Sequence, residues 1–185
     1  MSEQSSACPE ALLTQALSLA DQDDQAGLTA IETLLRDYGT DPILHFLHGS
    51  LLAAVKRYED AGLAMARALE IAPDYAIARF QLGFLRLSSG DADAARQIWA
   101  PLETLAAEDP LRLFAHGLNL LAVDRFEDAK ALLNQGLAAN GNGPLNGDIR
   151  LILERLEGES FEAETAPTSS THFLLAQQTT RRTTH

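Results

Sequence analysis

Gly49, Gly83 and Gly117 lie 34 residues apart, each inside a stretch whose apolar spacing reads as a helix: "FLHGSLLAAV", "FQLGFLRLSS" and "FAHGLNLLAV". A glycine in a helix interior costs about 1 kcal/mol relative to alanine. Something other than helix propensity must therefore hold it at a fixed period. Ala61, Ala95 and Ala129 repeat the same interval, each twelve residues after its glycine. The phrases "RYEDA", "GDADA" and "RFEDA" put acids and alanine where a second helix would begin. Helical hairpins answer both observations. The distance between packed helices is set by the side chains at the contact, within about 8–10 Å. A glycine on the first helix opposite an alanine on the second lets the backbones close up, and the packing gained offsets the propensity lost.

The composition agrees. Alanine and leucine dominate while isoleucine and valine are sparse, which favours helices over strands. A net charge of −12 argues against nucleic acid or an anionic membrane as partner, since both need a basic footprint. No apolar run approaches the ~20 residues of a membrane span. Neither Lys nor Arg precedes Arg36, so the basic start of a signal peptide is missing. Cys8 is the one cysteine, which leaves no intrachain disulfide and no thiolate zinc site. The expectation is a cytoplasmic protein.

With repeats set at 42–75, 76–109 and 110–143, the pattern resembles the tetratricopeptide-repeat family, whose unit is 34 residues folded as two antiparallel helices. The family's small residue at the eighth position is Gly49, Gly83 and Gly117 here, and at the twentieth Ala61, Ala95 and Ala129. At the twenty-seventh stand Ala68, Leu102 and Gly136; Pro73 is the closing proline, and Trp99 the aromatic of the twenty-fourth position. The resemblance implies an all-α, right-handed superhelical solenoid of antiparallel hairpins. It has departures. Where the family usually has aromatics at the fourth and eleventh positions, this chain has His45 and Leu52, Arg79 and Arg86, then Leu113 and Leu120. Pro101, inside the second helix of the middle repeat, should kink or break that helix near Trp99.

The flanks complete the expected organisation. Residues 1–8 form an N-terminal tail, and 9–41 a degenerate hairpin that opens at Pro9, ends at Gly39 and holds Gly27 in phase, 34 before Ala61. "NGNGPLNG" reads as a turn cluster, and a capping helix falls within 144–158. Residues 159–185 are a Ser/Thr-rich tail.

For catalysis the sequence offers little: no glycine-rich phosphate loop, no nucleophile elbow and no metal-spaced Cys/His cluster. His45 and His48 share a helix face but have no evident third ligand, so no cofactor and no metal are expected. The resemblance points to binding. In such arrays the second, fifth, ninth and twelfth positions line a concave face. Among them are Ile43 and Phe46; Ile77, Phe80, Phe84 and Leu87; and Leu111, Phe114, Leu118 and Leu121. Two readings stand: a groove for an apolar helical or extended segment of a partner protein, or a stripe filled by the chain's own hairpins. The family's clamp for acidic chaperone C-termini needs Lys, Asn and Arg on this face, where this chain is apolar; that ligand class is not expected.

The function that follows is a non-enzymatic interaction module, a bacterial-type adaptor or chaperone. Its alternatives are a chaperone of type III secretion translocators, which small acidic three-repeat proteins include, and a structural oligomerisation unit. The tail supplies a candidate internal ligand. From Thr165 onward it holds Arg181 and Arg182 and no acid, against −14 for the preceding residues (12 basic, 26 acidic), and Phe173, Leu174 and Leu175 form an apolar anchor. It would compete for the groove in its own chain or join copies into a homo-oligomer.

Overall fold

The computed structural model describes residues 7–140 and 143–157, and among them the secondary structure is helical, with no strand. The chain divides into two compact units, with the boundary after Ala78. The first holds α1 (Glu10–Ala20), α2 (Asp24–Asp37), α3 (Pro42–Ala54) and α4 (Tyr58–Ile71), and the opening turn of α5 (Ala76–Ser88). The second holds the remainder of α5, α6 (Ala92–Trp99), a 3₁₀ turn at Ala100–Thr104, α7 (Pro110–Leu121), α8 (Phe126–Ala139) and α9 (Gly143–Glu157).

Four helices begin on an aspartate whose carboxylate takes an orphan amide of the first turn: Asp23 from Gln25, Asp41 from Ile43, Asp91 from Ala94 and Asp109 from Leu111, at 2.8–2.9 Å. Pro42 and Pro110 follow two of these caps, where a missing amide costs nothing. Asp41 is only 1% exposed, and its second oxygen accepts from the Cys8 amide at 2.7 Å. The segment read as a tail up to residue 8 is thus anchored at its end, and the starts of α1 and α3 are held side by side.

The three turns from first to second helix are built alike. Lys56, Gly90 and Asp124 occupy the fifteenth position of their repeats and adopt φ of 63°, 87° and 58°. Each is followed by an amide that reaches back six residues inclusive: Arg57 to Leu52, Asp91 to Arg86 and Arg125 to Leu120, at 2.8–3.0 Å. Inside that bond the amides of Lys56, Gly90 and Asp124 donate to Ala53, Leu87 and Leu121. This is the Schellman motif, which needs a left-handed residue just beyond the helix. Only the middle repeat puts glycine there. The α1–α2 turn has no such residue, and its amides return to Leu19 instead.

The periodic glycines do let paired helices approach, though their partner differs from expectation. A Cβ on Gly49 would stand 2.7 Å from Met65 Cγ, one on Gly117 2.8 Å from Leu133 Cδ2, and one on Gly83 would enter the Trp99 indole. Met65, Trp99 and Leu133 all hold the twenty-fourth position. The glycine makes room chiefly for that side chain. The carbonyls of Ala61 and Ala129 come next, at 2.9 and 3.3 Å. In the first hairpin the roles reverse: Gly27 on α2 lies against Ala20, whose Cα would be 2.6 Å from an added Cβ.

Pro101 ends α6 at Trp99, as its missing amide requires. The chain continues as the 3₁₀ turn with Leu102 buried. In that tighter winding the Ile98 carbonyl would look to residue 101 for a donor, and Arg79 of α5 supplies one at 3.3 Å. Arg112 ties the far end of the turn, donating to the Leu105 carbonyl at 2.9 Å and pairing with Glu103 at 3.0 Å. The cluster read as a turn before the cap is shorter than expected: α9 already begins at Gly143, so Pro144 falls in its first turn. Asn140 and Asn146 close that junction with two bonds of 3.1 and 2.8 Å.

Two glycines separate two kinds of strain. Nothing lies within 4 Å of a Cβ at Gly90, so Gly90→Ala should cost about 1–2 kcal/mol through backbone handedness alone. Gly83→Ala should cost about 1–3 kcal/mol by overpacking Trp99 and should shift the indole fluorescence, which Gly90→Ala should leave unchanged. The opposite change, Lys56→Gly, should stabilise by about 0.5–1 kcal/mol. Urea denaturation of the three variants checks all of this.

Candidate functional site

The expected groove residues fall into two groups. Phe46 and Phe114 are fully buried, Phe80 and Leu118 are 1% exposed and Ile77 4%. Ile43, Phe84, Leu87, Leu111 and Leu121 are half-buried. The recurring phenylalanine of the fifth position therefore belongs to the core, which corrects the expectation that these rings face a partner. The reason is geometric. The fifth position meets the twenty-seventh across its own hairpin, and a Cβ on Gly136 would stand 2.7 Å from Phe114 Cδ1. In the first repeat that place is taken by the fully buried Ala68. Phe46 also meets Tyr75 edge-on at 5.3 Å.

In the second unit the rings make a continuous stack. Phe80 lies 5.9 Å from Trp99, 6.3 Å from Phe84 and 6.3 Å from Phe114. The Trp99 indole N–H donates to the Phe80 carbonyl at 2.9 Å, so the buried polar tip is satisfied. The contact of Phe80 with Phe114 sets α5 and α7 side by side. Phe84, stacked on Phe80, is half-buried, as are Leu87 on α5 and Leu111 and Leu121 on α7.

Carrying the 34-residue phase one period further back finds two residues that the sequence reading left out. Leu12 corresponds to Phe46, and Leu19 to Ala53. Both lie on α1, and at 38% and 37% they are more exposed than any other apolar residue in these two positions. The signal was available: Gly27 had already shown that the first hairpin keeps the phase. The tail residues Phe173, Leu174, Leu175, Arg181 and Arg182 lie outside the described residues.

The ionisable groups near α3 serve packing. His45 Nε2 is 2.9 Å from the Gly39 carbonyl, and His48 Nε2 is 3.5 Å from Glu32 of α2, an ion-pair neighbour too distant for a good hydrogen bond. Burial pushes the His48 pKa below its ordinary value, against the upward pull of Glu32. Among the described residues, no three His, Cys, Asp or Glu side chains converge to hold a metal ion. On α9, burial raises the Asp148 carboxyl above the usual carboxylate value.

No family model matches the chain. Human tetratricopeptide repeat protein 34 is 33% identical to it over 123 residues, which is 64% of this chain and 22% of that protein. The chain thus spans under a quarter of that relative's length. Two solved MamA structures, the MamA RS-1 ArsTM double mutant and MamA 41-end from Desulfovibrio magneticus RS-1, superpose with TM-score 0.59 at 14% identity. They cover 96% and 97% of this chain, and 99% and 100% of their own. At that identity the likeness is one of fold. Phase, hairpins and relative together support a tetratricopeptide-repeat family. Such arrays are protein–protein interaction modules and in general not enzymes. Among the described residues no helix is long and apolar enough to cross a membrane.

Both shifted groups give a pH dependence of definite sign. His48 is held neutral by the fold, so its contribution is fully present above about pH 6.5 and is lost as pH falls through that value towards the lowered one. His48→Gln should flatten the loss of melting temperature between about pH 7.5 and 5.5. Asp148 behaves oppositely: its raised pKa costs stability as pH rises above about 3.8. Asp148→Asn should therefore raise the melting temperature at neutral pH, with the gain fading below about pH 4.

Proposed function

We propose that this chain is an adaptor or chaperone that holds an apolar segment of a partner protein, helical or extended, against the first helices of its repeats. The observation that carries the reading is a set of half-open apolar side chains in the second unit. Phe84 and Leu87 on α5, and Leu111 and Leu121 on α7, are large apolar side chains left half-open at the positions that line the concave face in this family. The buried Phe80 and Phe114, with ring centroids 6.3 Å apart, hold the two helices together. A partner that covered these four side chains would gain part of the ~1.5–3 kcal/mol that each is worth when fully buried. Recognition is by apolar spacing, since on these helices the second, ninth and twelfth positions hold no charge. A reducing compartment, the cytoplasm, suits a chain whose single cysteine is buried and free.

The test is affinity purification from the native host with the parent and with a Phe84→Ser/Leu121→Ser double variant, followed by mass spectrometry. These residues are half-open, so the variant should keep its helical circular dichroism while its principal prey falls by about tenfold or more. The same prey recovered equally by both would overturn the assignment of this face. Phe114→Ala is the contrasting control: it should destabilise by about 3–5 kcal/mol, because that ring is core.

A further inference from the structure

The first hairpin combines two properties found together nowhere else among the described residues. Its α1 carries Leu12 and Leu19, one heptad apart on one side of the helix, at 38% and 37% exposure. It is also one-sidedly acidic. Residues 7–41 hold seven acids (Glu10, Asp21, Asp23, Asp24, Glu32, Asp37 and Asp41) against a single base, Arg36. Most of these carboxylates are exposed, and the ion pair formed by Glu32 is with a histidine rather than a full cation. The second and third repeats hold exposed acid–base pairs such as Arg96 with Asp93 and Arg125 with Asp128.

One segment of the same chain has the complementary chemistry. Residues 165–185 contain no acid, carry Arg181 and Arg182, and hold the apolar run Phe173–Leu174–Leu175 six residues before the arginine pair. The 16 residues from Glu157 to the apolar anchor at Phe173 (173 − 157) could extend on the order of 50 Å.

We propose that the open side of α1, with Leu12 and Leu19 at its centre and the acids of the first hairpin around it, is the docking surface for the chain's own residues 165–185. Phe173, Leu174 and Leu175 cover the two leucines, while Arg181 and Arg182 reach carboxylates such as Asp21 and Asp24. The arrangement covers the apolar flank of α1. It leaves the face between α5 and α7 open, so it does not rest on the partner-binding reading given above.

Hydrogen–deuterium exchange on the full-length protein tests it. In the parent, amides of residues 172–176 should exchange about tenfold more slowly than an unstructured chain. That protection should shrink when salt rises from about 0.05 to 0.5 M, because the Debye length contracts. It should vanish in Leu12→Gln/Leu19→Gln, and equally in the independent variant Phe173→Ser/Leu174→Ser, while α3 to α8 stay protected in both. Protection should not depend on protein concentration, and light scattering should give a monomer. Free exchange of residues 172–176 in the parent would overturn the docking. Protection that survives both double variants would overturn the site, and protection that grows with concentration would overturn the own-chain source in favour of a second copy.

Discussion

Everything else in the repeats depends on how close the two helices of a hairpin can come. That distance is set where Gly49, Gly83 and Gly117 receive the side chains of Met65, Trp99 and Leu133. With any Cβ at the eighth position the helices would stand further apart. The fifth-position phenylalanines would then lose their seats against the twenty-seventh, and the fully buried Ala61, Ala95 and Ala129 would face voids. Cores packed at crystal-like density leave little slack for such a shift. The helix-propensity cost of each glycine is therefore one side of a local exchange whose other side is the whole interior of the hairpin.

Much of this was legible in the residues. A fixed period with two small residues in phase named the fold, and the missing amide of Pro101 named the break in α6, because each follows from spacing or from a missing donor. The partner of the glycine was read one turn short. The alanine at the twentieth position is small and recurs, whereas the residue that fills the gap varies between Met, Trp and Leu and so carries no pattern. The left-handed turn escaped for a similar reason. Its conformation is common to three repeats, but its residue is Lys, Gly and Asp, and only the glycine signals handedness. The candidate site was less legible still. A helix that is apolar on most sides does not say which side meets its own hairpin, and the phenylalanines that looked most like a binding stripe proved to be the best buried.

The surface proposed for a partner is of a particular kind. It consists of half-buried apolar side chains, Phe84 among them, and carries little charge of its own. Charge is concentrated elsewhere, at the first hairpin and in pairs along the second helices, such as Arg57 with Asp60 and Arg125 with Asp128. Exposed pairs of that sort contribute little stability.

Trp99 is the only tryptophan in the chain, and it is wedged against Gly83 and Phe80 at the last turn of the shortest α-helix. The chain thus contains a built-in optical probe of one repeat. Its emission answers to the opening of the middle hairpin, where Pro101 has already interrupted the backbone ladder, whereas circular dichroism averages over every helix. A one-dimensional array need not melt as a single body. Any divergence between the two signals would measure, in this protein without labels, how far the loss of one repeat is felt by its neighbours.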